Sequence, residues 1–289
     1  MFVSQKYNQN ALAIVLIVLL TSSSFLLVQP GYSTIISNNN ASNTSSNNNN
    51  LDLSKEVFVV DYANIRIQKF DTDGKFIMKW GTEGEGEGQF EIPHGIALDP
   101  SGSSVYVTDM TGLSVKKFTR NGEFITQWGS KGSGNGQFLH LHSIDIDSSG
   151  NVYVTDMQNF NIQKFTADGK FITSWGSEGD GRGQLDSPAG IDVDSSGNLY
   201  VTDDGNSRIQ KFTNNGDFVT MWGSKGSGNG QLDRPHDIAI DASGNNVYVV
   251  EQGNFRVQKF TADGKFITSW GSEGSADNQF QDPHSVTVY

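Results

Sequence analysis

The sequence predicts an all-β protein, a β-propeller of five four-stranded blades, and two periodic features carry that reading. The 289 residues hold five tryptophans, Trp80, Trp128, Trp175, Trp222 and Trp270, spaced 48, 47, 47 and 48 residues apart. Self-similarity at such a period marks propellers and other repeat arrays. Within each period a turn dipeptide recurs at one register: Asp73-Gly74, Asn121-Gly122, Asp168-Gly169, Asn215-Gly216 and Asp263-Gly264. Asp-Gly or Asn-Gly between β-rich runs is the strongest short hairpin signal, read here as a type I′ turn with positive φ at both central residues.

One unit, residues 188–222, shows the elements in order. A short strand over 190–193 leads through an Asp-Ser-Ser-Gly turn to a strand over 198–202. A loop opening on Asp203 leads to a strand over 208–212, and the tight turn leads to a strand ending at Trp222. Each Trp is followed by a glycine-rich connector such as 129–138. The connector recurs in every blade with no helix after it, so it reads as a passage between blades and not as a phosphate cradle.

The two ends complement one another. The chain enters the first blade on a second strand, Val57-Phe58-Val59-Val60, and finishes on the sequence of a first strand, His284-Ser285-Val286-Thr287-Val288. The C-terminal strand is therefore expected to close the N-terminal blade, which would remove exposed strand edges.

The repeats resemble the NHL family, through segments such as Pro188-Ala189-Gly190-Ile191-Asp192-Val193-Asp194, Asn151-Val152-Tyr153-Val154-Thr155-Asp156 and Asn206-Ser207-Arg208-Ile209-Gln210-Lys211-Phe212. The match covers about residues 56–289. The resemblance implies a propeller, and because NHL propellers usually have six blades it makes a six-bladed architecture the alternative to five.

Ahead of the repeats, Lys6 precedes an apolar stretch, then serines, then a second apolar run ending at Val28. Residues 1–33 read either as a cleavable secretory signal, with Ser33 a processing point, or as a membrane anchor over residues 11–28. Either reading makes the protein secreted or extracytoplasmic. Residues 37–50 are nearly all Asn and Ser, and residues 34–54 are expected to form a disordered linker to a propeller over residues 55–289. Sequons at Asn40 and Asn43 offer glycosylation sites.

Composition excludes several functions. With 32 acidic against 20 basic residues and a formal charge of −12, the chain lacks the basic surface from which nucleic-acid binding draws its affinity. It has no cysteine, which rules out disulfides, thiolate metal sites and thiol catalysis.

The acidic residue after each second strand (Asp61, Asp109, Asp156, Asp203, Glu251) and the Asn three residues on (Asn64, Asn159, Asn206, Asn254) read as loop-shaping caps. A calcium site would need several oxygen ligands converging on one loop, and no loop has that density. The Trp residues and Phe70, Phe118, Phe165, Phe212 and Phe260 read as packing between blades. The Lys before each of these Phe residues reads as solvent-facing.

Histidine supplies the candidate site. Four of the five histidines share one repeat position just before the innermost strand, His94, His142, His236 and His284, while Ala189 stands there in the remaining repeat. Innermost strands surround the central channel, so these positions form a ring able to provide the nitrogen ligands of a zinc ion. The competing explanation is duplication of one structural histidine along with its blade. His140 falls outside the pattern.

Pro93-His94-Gly95, Pro235-His236-Asp237 and Pro283-His284-Ser285 are similar to the zinc-ligand positions of the peptidyl-α-hydroxyglycine α-amidating lyases, which are NHL-like propellers. That resemblance implies zinc on His94, His236 and either His142 or His284, and cleavage of a carbinolamide N–C bond. The sequence matches no catalytic Tyr or Arg of that family to a unique position. Its expectation is therefore a non-enzymatic scaffold binding a protein, peptide or glycan at the cell envelope, with a zinc-dependent lyase as the alternative.

Overall fold

The computed structural model describes residues 26–27, 35–37 and 56–288. Five four-stranded antiparallel sheets follow one another in the order of the chain, each with its strands in sequence order from the inner to the outer edge. In the second blade these are Pro93–Leu98, Ser104–Asp109, Ser114–Thr119 and Phe124–Trp128. The fourth blade repeats them as Pro188–Val193, Leu199–Asp203, Arg208–Phe212 and Phe218–Trp222. Among the described residues there is no α-helix, only a 3-10 turn at Tyr62–Asn64.

Burial follows the pleat. Second strands lie between two neighbouring blades and in the second, third and fourth blades are buried at every position, as in Val152–Asp156, whereas outer strands such as Phe171–Trp175 alternate between partly buried and exposed. The core is a series of apolar layers between blades. Phe58, Val60 and Ile67 of the first blade meet Val105, Val107 and Phe118 of the second, with the connector residue Phe90 in the same cluster. Equivalent layers use Phe138, Leu185, Leu232 and Phe280.

The tight turns differ from the type I′ expectation. Gly169 has φ +80°, but Asp168 is not among the positive-φ residues, and the strand register shifts between Lys164 and Phe165. With Gly169 N–H donating to Thr166 O at 2.9 Å, this is a type I turn closed by a left-handed glycine in a bulge. The glycine has a second role, because a Cβ on Gly169 would lie 2.4 Å from the ring of Trp128 in the preceding blade. Gly122, Gly216 and Gly264 sit equally close to Trp80, Trp175 and Trp222. Each of these four hairpins thus rests on the previous blade's tryptophan.

The lysines before the repeated Phe residues are not solvent-facing. Lys164 crosses to the next blade's turn, donating to Asn214 O at 2.9 Å, and its ammonium lies 5.2 Å from the Tyr153 ring centre. Lys69 is 2% exposed and pairs with Glu56 at 2.7 Å. Closely spaced blades leave these flexible chains no direct route to water, and the neighbouring turn carbonyls accept their protons instead.

Closure also differs from expectation. The inner neighbour of Glu56–Asp61 is Ile35–Ser37, with Ile35 opposite Val59 and Ser37 opposite Val57. The C-terminal strand Val286–Thr287 pairs with Leu26–Leu27 instead. The C-terminal segment still lies beside the fifth blade's inner strand, as each inner strand lies beside the one before it: Val286 joins the apolar cluster of Tyr248, Val250, Val257 and Phe280, and the Asp237 carboxylate accepts from Ser285 Oγ at 2.6 Å and Val286 N at 3.0 Å. Apart from these two short strands, the signal or anchor expected over residues 1–33 and most of the linker expected over 34–54 lie outside the described residues. Among the described residues no helix is long and apolar enough to cross a membrane.

Candidate functional site

The four repeat histidines converge. Ring centroids of His94 and His142 are 4.2 Å apart and those of His236 and His284 3.9 Å, while the two pairs approach at 4.9 Å (His142 to His236) and 5.5 Å (His94 to His284). A local device turns these side chains toward the channel. Strand pairing slips between Pro93 and Ile96, between Leu141 and Ile144, and between Pro235 and Asp237, and bulges of this kind re-aim a side chain.

Second-strand threonines fix the bulges. Thr108 Oγ1 accepts from Gly95 N at 2.7 Å and donates to His142 O at 2.9 Å, tying its own bulge to the next blade's histidine. Thr202 does the same for Gly190 N (2.6 Å) and His236 O (3.2 Å). The acidic caps hold the loop just before the histidine: the Asp156 carboxylate accepts from Leu139 N and His140 N, both at 2.9 Å, and from Asn159 Nδ2 at 2.7 Å. The loop-shaping role expected of these pairs is what the structure contains. Asp203 adds Arg208 Nε at 2.7 Å, and the rest of that guanidinium donates to the carbonyls of Asp180, Gly181 and Gln184.

Burial controls the protonation of the ring. It pushes the His94 and His284 imidazoles down to about 4, with the neighbouring His284 adding to the effect on His94. It drives His142 and His236 well below the usual imidazole value, helped by charge repulsion from the other rings. All four are neutral at pH 7. His94 Nδ1 lies 3.2 Å from His142 O and His236 Nδ1 lies 3.1 Å from His284 O. A carbonyl only accepts, so Nδ1 carries the proton in both and Nε2 holds the lone pair. His142 Nδ1 is buried without a hydrogen-bond partner.

The ring divides the channel. On one side is a chamber of about 160 Å³, lined by the four histidines, Ile96, Ile144, Ile191 and the carboxyls of Asp145, Asp192 and Asp237. The Asp145 and Asp192 carboxyls are hydrogen-bonded to each other, and burial raises both above the ordinary carboxyl value. They also bridge neighbouring inner strands: Val193 N donates to Asp145 Oδ2 at 2.8 Å and Ile240 N to Asp192 Oδ2 at 2.6 Å.

On the other side is a vestibule of about 340 Å³ whose walls are Tyr62, Met110, Met157, Asp204, Gln252, His140 and Arg234. The first five occupy one repeat position, directly after the acidic cap, and His140 and Arg234 share another, two residues before the ring histidine. Sequence reading overlooked them because each was weighed against its own blade. The available signal was variation: four residue types over five repeats, directly after a nearly constant acidic residue.

Four neutral imidazoles suit zinc and similar transition ions, not calcium or magnesium. Donation from Nδ1 to a backbone carbonyl is the usual way a ligating imidazole is oriented, and the orphaned His142 Nδ1 is a buried nitrogen lacking any protein partner. The donor set fits such an ion. Among the described residues no group of three His, Asp or Glu side chains is already arranged to hold one, so binding would require the rings to turn.

A five-bladed β-propeller with a histidine-floored channel mouth is the class that this fold and site define. Within that class, the chain carries NHL repeats. The NHL repeat family matches residues 185–212 and 232–260, and a domain family described as a 6-bladed beta-propeller matches residues 43–117. No curated protein matches the chain. Similar solved structures include a chain of a nidogen/laminin complex, with TM-score 0.62, 19% identity and coverage of 81% of this chain and 80% of that one. A streptogramin B lyase has TM-score 0.60, 19% identity and coverage of 82% and 70%. The virginiamycin B lyase of Staphylococcus aureus has TM-score 0.59, 17% identity and coverage of 90% and 83%. At these identities the likeness is one of fold.

Proposed function

We propose that this protein is an exported binding propeller that takes its ligand in the vestibule, over a floor of four histidines that holds a zinc ion. One observation carries the reading: the side chains that break the repeat, Tyr62, Met110, Met157, Asp204 and Gln252, gather around one cavity directly above the convergent imidazoles. Framework residues repeat because every blade needs the same packing. Divergence at a register that faces a concave site is what ligand recognition requires.

His94, His142, His236 and His284 would hold the ion. When bound, zinc supplies a Lewis acid that polarises or anchors an oxygen of the ligand. The protein's own residues keep the imidazoles neutral by burial and fix their tautomers through backbone carbonyls. The signal-like N-terminus supports export. The nidogen/laminin likeness accords with a propeller that binds a partner at its rim, and a peptide or glycan reaching the vestibule by a terminal group suits the same site.

The second reading is a zinc-dependent lyase. Tyr62 favours it, since its ring stands edge-on to His94 at 6.5 Å and places a phenol beside the floor. Two of the similar folds are lyases, and the Pro-His motifs resemble those of the α-amidating lyases.

Elemental analysis of the purified full chain, beside a His94→Ala/His236→Ala variant, tests the floor. One zinc per chain, lost in the variant, is expected; absence of bound metal together with a silent zinc titration would overturn it. Turnover of a peptidyl-α-hydroxyglycine by the zinc-loaded chain would select the lyase reading, and its absence the binding one.

A further inference from the structure

The vestibule is two-sided. Its wall from the first three blades is Tyr62, Met110, Met157 and His140, an aromatic ring, two thioethers and one imidazole, all half-buried. The wall from the fourth and fifth blades is Asp204, Arg234 and Gln252. One face is mainly apolar and polarizable, with a single imidazole, and the other carries one carboxyl and one guanidinium.

Arg234 is held over the cavity from both ends. Its backbone is left-handed, with φ +50°, a conformation uncommon for a residue with a side chain and costly unless the surroundings impose it. The Arg234 guanidinium donates to Gln252 Oε1, and Gln252 N donates to Arg234 O at 3.1 Å, a framework contact that Met110 N also makes to Ile92 O and Met157 N to His140 O. Ser187, at the same register in the fourth blade, is left-handed as well (φ +53°), whereas Ile92 and His140 in the second and third blades are not. Asp204 stands on the adjoining wall, where burial, opposed in part by Arg234, raises its carboxyl to about 6. An ammonium placed beside that carboxylate would relieve the cost of ionising it.

Resting on the vestibule reading above, we propose that the ligand is a compact zwitterion with an apolar side group, of the free α-amino acid class. Its carboxylate lies on Arg234, its ammonium on Asp204, and its side group on Met110, Met157 and Tyr62. A guanidinium matches a carboxylate in a two-pronged geometry, thioethers adapt to irregular apolar groups, and a cavity of about 340 Å³ is of small-molecule size. The acidic caps and the lysine clamps are already engaged within the framework, so Asp204 and Arg234 are the charges this wall presents to a ligand.

Isothermal titration of the full chain with L-methionine and L-phenylalanine, each also as its N-acetyl acid and its carboxamide, tests this. Binding of the free amino acid is expected, weakened at least roughly tenfold by blocking either end. Arg234→Gln should abolish the preference for acid over carboxamide, and Asp204→Asn the preference for free over acetylated amine, with melting temperatures unchanged. Failure of the free amino acids to bind, or equal binding of the blocked forms, would overturn the zwitterion assignment. Zinc content measured on the same samples separates that failure from failure of the histidine floor.

Discussion

His94 Nδ1 lies 3.2 Å from the carbonyl oxygen of His142. The same contact recurs between His236 and His284 at 3.1 Å, so the floor is built as two similar pairs that face each other. Each pair spans two consecutive inner strands, and the imidazole of one blade is oriented by the backbone of the next. The functional groups are therefore properties of the closed array and not of any single repeat.

The histidines should make stability fall on mild acidification. Their folded values, about 4 for His94 and His284, lie below the unfolded value near 6.5. Between these limits the unfolded chain binds protons that the native chain does not, so their contribution is complete above about pH 6.5 and is lost as pH falls toward 4. Asp237 acts in the opposite sense. Burial raises it to about 6, so the native state binds its proton more tightly and gains stability as pH falls from about 6 toward 4. In urea titrations at pH 7 and pH 5, His142→Gln should lose less stability on acidification than the parent, and Asp237→Asn should lose more.

Removing the threonine bridge should unsettle both fold and floor. Thr108→Val keeps the shape but leaves Gly95 N and His142 O without their shared hydroxyl, at a cost of about 1–3 kcal/mol. Denaturant unfolding should register that loss, and zinc affinity should fall in the same variant because the first histidine pair is released. An unchanged affinity would separate the bulge from the site.

The glycine under the hairpin offers a comparison. Gly169→Ala meets both a left-handed backbone (φ +80°) and the Trp128 ring, whereas Gly150→Ala has a similar φ of +82° with nothing within 4 Å. Backbone strain should cost each about 1 kcal/mol, and Gly169→Ala should lose more by the overpacking penalty of about 1–3 kcal/mol. Equal losses in chemical denaturation would mean that the tryptophan yields freely.

Arg208→Lys should loosen the connector. The guanidinium joins Asp203 to three carbonyls of residues 180–184, and an ammonium cannot reproduce that fork. Faster amide hydrogen exchange confined to residues 179–185 is expected, with little change in the fourth blade's strands.

The sequence by itself determined the blades. Trp80 to Trp270 recur because each blade needs one large side chain under the next hairpin, and Asp-Gly and Asn-Gly recur because each hairpin needs a left-handed position. Both requirements are local or periodic, so they can be read along the chain. The histidine ring was legible for the same reason: four residues at one register of inner strands must face one axis. Only the tertiary structure decided the rest. That Ile35–Ser37 and not Val286–Thr287 pairs with the first blade's second strand is a long-range choice no repeat encodes, and Lys164 became an inter-blade clamp because the adjacent turn stood where water would have been. Tyr62, Met110, Met157, Asp204 and Arg234 are scattered over some 170 residues of sequence and acquire a common meaning only when the propeller brings their loops to one mouth.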